Sequence, residues 1–335
     1  MPDTSTDQLD REQALRHWLG EMLGFTDYRL EVAFADASFR RYFRVTHAGQ
    51  THIVMDAPPD REDCRPFIQI AEAFSQVGLH VPEVRQSDLE QGFLLLSDLG
   101  DQPYLDALNA GTVDRLYGDA LGALATLQGC AAGIELLPAY DQALLMTEMA
   151  LFRDWLVQQH CAITLDEEAE DNLQSSFEYL AESALQQPQV CVHRDYHSRN
   201  LMVLPVHNPG ILDFQDAVVG PVTYDLVSLL RDCYIGWPRQ QVEHWALGYR
   251  ELAIQTGILR PDDASEEQFL RWFDLMGVQR HLKAAGIFAR LNHRDGKDGY
   301  LKDIPRTLGY VQEVCERDGQ LERLGMLVED VLGQF

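Results

Sequence analysis

The stretch Cys191-Val192-His193-Arg194-Asp195-Tyr196-His197-Ser198-Arg199-Asn200 decides how the rest of the chain is read. It places an Asp two residues after a His and an Asn five residues further on, between two short apolar runs, Val190–Val192 and Leu201–Leu204. Those runs read as strands, so the polar residues between them form a loop held at both ends. A carboxylate within hydrogen-bond reach of a substrate hydroxyl suits a general base, the role expected of Asp195. The amide oxygen of Asn200 would then face a Mg2+ ion on the other side of a transferred phosphoryl group. Thirteen residues beyond Asn200 comes Ile211-Leu212-Asp213-Phe214, a second carboxylate at the end of a short apolar strand. Asp213 there suits a hard cation that prefers oxygen ligands. Taken singly, either piece also fits a solvated loop whose Asp and Asn residues make turns. Together, at this spacing and with these flanks, they point to metal-assisted transfer of a phosphoryl group to a hydroxyl.

On the N-terminal side the pattern is strand-rich. Leu15, Trp18, Leu19 and Met22 recur at helical spacing and predict an amphipathic helix over 9–23. Alternating aromatic and branched residues predict strands at 28–35 and 41–46, and a third at 51–57 stopped by Pro58-Pro59. A helix from Phe67 to Gly78 follows, then strands at 81–85 and 93–97. After Ser97-Asp98-Leu99-Gly100 helical periodicities take over, at 104–130, 141–160 and 166–186, and again beyond Asp225 at 239–256 and 266–290. Strands first and helices afterwards fit an α+β chain better than a doubly wound sheet, which needs regular βαβ alternation. The expected organisation is bilobal: a small antiparallel-sheet N-lobe over 1–98 and a helix-rich C-lobe over 99–335.

The strings HRDYHSRN (193–200), ILDFQD (211–216) and GPVTYDLVSLL (220–230) resemble the aminoglycoside phosphotransferase and choline kinase branch of the protein-kinase-like superfamily. The resemblance runs along nearly the whole chain. DASFRRYFRV, IVMDAPP, GFLLLSDLGD and QRHLKAAGIFARL narrow it to the anomeric kinases of N-acetylmuramate and N-acetylglucosamine, which serve bacterial peptidoglycan recycling. It implies a protein-kinase-like fold with a nucleotide-binding N-lobe and a C-lobe for catalysis and acceptor binding. It also implies ATP as phosphate donor, Mg2+ as cofactor and a C1 hydroxyl as acceptor. By residue, it implies Asp195 as base, Asn200 and Asp213 as Mg2+ ligands, His193 as a brace of the loop and Asp225 as its buttress from beneath. Asp225 equally fits an N-cap for the helix through Leu230. Phe93–Asp98 resembles the linker whose backbone groups bind adenine, which puts Leu96 and Asp98 against the nucleotide. Other readings are a kinase of another small hydroxylated molecule, of aminoglycoside, choline or homoserine type, and a nucleotide-binding protein without catalysis.

The chain departs from the superfamily pattern in its lysines. It has only three, Lys283, Lys297 and Lys302. None stands near Met55 on the third strand, where the pattern places a phosphate-binding lysine, so Glu72 lacks its usual partner. The first hairpin, AFADASFRRYFRV, has no glycine to lie over phosphates. It offers Ser38, Arg40, Arg41 and Arg44 instead, one hydroxyl donor and three planar forks suited to phosphate. An exposed cationic hairpin face is the simpler alternative. On the acceptor side, Arg280 and Lys283 share one helix face, and a cationic face fits the lactyl carboxylate of N-acetylmuramate. A surface helix that offsets an acidic chain fits equally well. Tyr196, His197 and Arg199, inside the catalytic loop, are further acceptor candidates.

Over 335 residues, 27 Lys+Arg against 53 Asp+Glu leave a formal charge of −26. Such a surface repels a phosphate backbone, so nucleic acid is not an expected partner. No apolar run is long enough to span a bilayer and the N-terminus lacks a signal layout, so no membrane association is expected. Six scattered cysteines without a CxxC pair read as reduced thiols of a cytoplasmic protein. The expected partners are ATP and an amino-sugar acceptor, and no protein partner is implied.

Overall fold

The computed structural model describes residues 4–35, 39–129 and 137–335. The chain forms two compact units, one of residues up to Gln76 with His80–Gly100, the other of Val77–Leu79 with Asp101–Phe335. In the first, α1 (Thr4–His17) runs into a π-helical turn, Trp18–Met22. An antiparallel sheet follows, built from β1 (Arg29–Ala35), β2 (Arg41–His47), β3 (Gln50–Asp56), β4 (Val84–Asp88) and β5 (Phe93–Ser97) in the order β1-β2-β3-β5-β4. Side chains alternate across a strand, so Phe43 and Val45 of β2 share a face. They close with Val54, Phe93 and Leu95 on Leu15, Trp18 and Leu19, the apolar stripe that begins in α1. Between β3 and β4, α2 (Cys64–Gln76) buries Cys64, Phe67, Ile70, Ala71 and Phe74 at helical spacing. β4 begins at Val84 rather than Val81, because Pro82 has no N–H to give to a ladder.

The second unit is mostly helix: α3 (Tyr104–Ala107), α4 (Val113–Gln128), α5 (Gln142–Leu151), which continues as a π-helix over Phe152–His160, and α6 (Glu167–Leu185). After the short strands described below come α7 (Tyr224–Leu230), α8 (Arg239–Gln255), α9 (Glu266–Asp295), α10 (Ile304–Cys315) and α11 (Glu322–Leu332). The single helix expected over 104–130 is split by a turn at Asn109–Thr112. There Asn109 Oδ1 accepts from Gly111 N at 2.9 Å and Thr112 Oγ1 donates to the Ala107 carbonyl at 2.7 Å. The 30-residue α9 is the axis of the unit, and α5, α6, α7, α8 and α10 pack against it. Ser265 caps its start by accepting from Gln268 N at 3.1 Å, with Glu266 and Glu267 in the first turn. His293 and Arg294 lie in its last turn, and Gly296, at φ 66°, ends it.

Two small antiparallel ladders position what matters chemically. β6 (Gln189–Val192) pairs with β9 (Val218–Pro221), and β7 (Leu201–Met202) pairs with β8 (Gly210–Ile211). The loop 193–200 runs from β6 to β7, and the loop 212–217 runs from β8 to β9. Val192 is paired with Val218 and Leu201 with Ile211, so the two loops are tied to each other at both ends. β9 has no counterpart among the strands expected from the sequence.

Candidate active site

The tied loops bring Asp195, Asn200 and Asp213 together. Asn200 Nδ2 donates to the Asp195 carbonyl at 3.0 Å and to Asp213 Oδ2 at 3.3 Å, while Leu212 N donates to the Asn200 carbonyl at 2.9 Å. With its nitrogen so engaged, Asn200 leaves its side-chain oxygen available beside a carboxylate. Asp213 Oδ1 accepts from Gln215 Nε2 at 2.8 Å. Asp213 and Arg194 both sit in the left-handed region, at φ 64° and 77°. That conformation costs a non-glycine residue on the order of 1–3 kcal/mol and persists only where the surroundings over-determine it.

Those surroundings are visible. Asp225, fully buried, accepts from His193 N at 2.7 Å and Arg194 N at 3.0 Å. Thr223 holds the cap position of α7, so Asp225 buttresses the loop and does not cap the helix. Burial pushes its carboxyl up to about 7, against the two N–H groups that favour its charge. His193 Nδ1 accepts from Asp195 N at 3.2 Å. Burial drives this ring down to about 4, which keeps it neutral and able to accept. Asp232 grips the far end of the loop, accepting from Ser198 N and from Tyr234 N at 2.9 Å each. The Arg194 side chain pairs with buried Glu148, which also receives Lys283 at 3.1 Å and the Tyr140 hydroxyl.

Asp195 itself is half-buried. Burial opposes its charge, yet Lys283, His197, Arg280 and His193 together hold its carboxyl below the usual carboxylate range. It is therefore ionised at neutral pH, as a proton acceptor must be.

Several expected acceptor residues lie elsewhere than foreseen. Tyr196 is fully buried and donates its hydroxyl to the Ala120 carbonyl of α4 at 2.8 Å, so it is a core residue. Arg280 and Lys283 are buried and form no open cationic face. Arg280 reaches Cys233 Sγ at 3.7 Å, and Lys283 lies 3.1 Å from both the Tyr224 hydroxyl and Glu148. Their charge acts inward, on Asp195. His197 is packed edge-on to Tyr234, and Arg199 lies over the same tyrosine, 3.6 Å from its ring centroid.

In the first unit, Ser38 falls outside the described residues. The hairpin arginines each pair with a carboxylate of the same unit. Arg40 pairs with Glu62 at 3.0 Å. Arg41 Nε and Arg11 Nε both reach Asp56, at 3.0 and 3.1 Å. Arg44 makes a two-pronged contact with Asp98, at 2.7 and 3.0 Å, and donates to the Gly100 carbonyl at 2.7 Å. Met55, where a lysine was sought, is fully buried, and Glu72 is exposed. Leu96 lies inside the sheet, between Ile53 and Val84. Glu148, Asp232 and Asp56 were missed. Asp232 had a signal, an Asp seven residues after Asp225 and two past the end of the same helix; Glu148 had none, since its role arises where α5 meets α9.

Residues 30–273 match the phosphotransferase enzyme family. A Pseudomonas putida protein named N-acetylmuramate/N-acetylglucosamine kinase is 47% identical over 331 residues, 96% of each chain. A Pseudomonas aeruginosa protein of the same name is 50% identical over 298 residues, 88% of this chain and 86% of that one. Among solved structures, choline kinase LicA from Streptococcus pneumoniae has a TM-score of 0.60 at 13% identity, covering 91% of this chain and 99% of its own. The GDP complex of aminoglycoside 2'-phosphotransferase-IIIa has a TM-score of 0.61 at 16% identity, covering 97% and 99%. At such identities the two structures speak for the fold alone. The family match across most of the chain and the near-half identity to curated relatives give one conclusion: the chain belongs to the phosphotransferase enzyme family.

Proposed function

We propose that this protein is an ATP-dependent kinase that phosphorylates the anomeric C1 hydroxyl of N-acetylmuramate and N-acetylglucosamine, a cytoplasmic step of bacterial peptidoglycan recycling. The observation that carries the reading is 47% identity over 96% of both chains to a protein named for those two sugars. The geometry supplies a route. Asp195, held ionised, takes the proton of the C1 hydroxyl as its oxygen forms a bond to the γ-phosphorus. The bond from that phosphorus to the β-bridging oxygen breaks, and ADP leaves with the electron pair. An anomeric hydroxyl is more acidic than an ordinary alcohol, so a carboxylate suffices as base. Phosphoryl transfer asks mainly for positioning and charge neutralisation. The side-chain oxygens of Asn200 and Asp213 are hard donors set side by side, a set that suits Mg2+ held jointly with nucleotide phosphates. Such an ion, when bound, neutralises phosphate charge. Asp98, its side chain tied to Arg44, offers adenine only its backbone.

The test is turnover with Mg·ATP and each sugar, beside choline and an aminoglycoside, followed by ADP release and phosphorus NMR. ADP release with both sugars and a C1 phosphate ester are expected. Release with choline or the aminoglycoside alone, or with none of the four, overturns the reading.

A further inference from the structure

The two proposed acceptors differ in one chemical respect: N-acetylmuramate carries a lactyl ether ending in a carboxylate, and N-acetylglucosamine is neutral. A protein that takes both needs a cation for the first that the second can leave unused. The buried candidates, Arg280 and Lys283, are already turned inward. Arg194 and Lys283 both give their charge to Glu148.

Arg199 differs from them. It lies four residues past Asp195 and one before Asn200. Its guanidinium carbon is 3.6 Å from the Tyr234 ring centroid and 5.5 Å from that of Tyr300. Tyr300 stacks on Phe288 with centroids 5.6 Å apart and planes at 19°, and Phe288 lies 6.2 Å from Tyr234. The three rings form one aromatic clamp, drawn from the segment after α7, from α9 and from the turn before α10. Among the described residues Arg199 has neither an ion pair nor a hydrogen bond. Asp303, whose carboxyl feels the Arg199 charge, sets its ion pair on Arg306 at 3.7 Å. Arg199, Tyr234 and Tyr300 are all half-buried, so the group is partly desolvated yet open on one side.

A guanidinium uses different parts of itself for stacking and for hydrogen bonding. Its faces meet aromatic rings, while its N–H groups lie in the plane and match the two oxygens of a carboxylate. A clamp that holds the faces therefore preorganises the fork and lowers the ordering cost of using it. We infer that Arg199, clamped by Tyr234 and Tyr300, is the receptor for the acceptor's carboxylate, and so sets the preference for N-acetylmuramate over N-acetylglucosamine. The inference rests on the proposed sugar-kinase reading.

The experiment compares kcat/KM for the two sugars in wild type, Arg199→Met, Arg199→Gln and Tyr300→Leu. Loss of a charge-assisted bond to a carboxylate is expected to lower the N-acetylmuramate to N-acetylglucosamine ratio roughly 10- to 100-fold in both Arg199 variants, through the KM for N-acetylmuramate. Tyr300→Leu shifts the ratio in the same direction by less. Turnover of N-acetylglucosamine reports that each variant is folded. An unchanged ratio overturns the assignment, whether both sugars suffer equally, as they would if Arg199 served the phosphates, or neither does. Wild type active on neither sugar overturns the sugar-kinase reading instead, a result distinct from any change confined to the variants.

Discussion

Asp195 keeps its charge in a half-buried place because the cations Lys283 and Arg280 of α9, with the loop histidines His197 and His193 beside it, outweigh the cost of burial. Replacing it with Asn keeps shape and the backbone contact with His193 but removes the proposed proton acceptor. Asp195→Asn is expected to lower kcat by roughly 10²–10⁴. Its thermal midpoint should stay near wild type, and ADP release read beside a melting curve separates the two effects. The neighbouring Tyr196 makes the opposite prediction. Its hydroxyl is spent on the Ala120 carbonyl, so Tyr196→Phe should cost about 1 kcal/mol of stability and leave the sugar KM unchanged. A KM shift would return Tyr196 to the acceptor site. At this scale the sequence was legible in what spacing brings together, as in Asp195, Asn200 and Asp213. It was not legible where adjacency had to stand for direction: Tyr196 and Asp195 are neighbours in the chain, yet one points to the core.

Among the elements, α9 shows how packing governs the site. A Cβ added at Gly286 would meet the Leu151 carbonyl carbon at 2.3 Å and Phe152 N at 2.5 Å, the point where α5 becomes a π-helix. Only glycine allows this approach, and Lys283 lies one turn away on the same helix. Gly286→Ala is therefore expected to cost about 3 kcal/mol in urea unfolding, and to lower kcat as α9 is pushed off Glu148. Gly248, exposed in α8 with nothing near its missing Cβ, is the control. Gly248→Ala should stabilise by roughly 0.5–1 kcal/mol, the ordinary helix propensity gain. The small unit has its own example in Asp56, a fully buried carboxylate shared by Arg11 and Arg41. The absence of lysine before residue 283 looked like a demand for arginine at the phosphates. The fold uses arginine structurally here: a fork grips a buried carboxylate on two sides, which an ammonium cannot do. Helix and strand periods forecast most of the elements, but β9 and the break after α3 escaped them, because a Val-Val-Gly-Pro strand and an Asn-Ala-Gly-Thr turn are decided by partners.

For the whole molecule, charge and buried histidine act against each other as pH falls. At −26 the surface repels itself, and protonating carboxylates towards the pI of about 4.6 relieves that strain. His281 works the other way. Burial pushes this ring down to about 3, and its Nε2 lies 2.8 Å from the Arg231 carbonyl, with Tyr310 against its face. An unfolded histidine titrates near 6.5, so between there and about 3 the unfolded chain binds a proton that the folded one refuses. The His281 contribution is thus whole above pH 6.5 and is lost progressively as pH falls below it, by about 1.4 kcal/mol per unit. His193 behaves likewise, so wild type alone cannot separate histidine from surface charge. The variant His281→Gln keeps an amide donor for the Arg231 carbonyl and does not titrate. Surface repulsion and His193 then cancel in the difference between the two proteins. Urea unfolding at pH 7.5 should show the variant somewhat less stable than wild type. By pH 5 the gap should have moved about 2 kcal/mol in the variant's favour; a gap constant with pH would mean that His281 titrates normally and that its burial is relieved by opening of the α9–α10 packing.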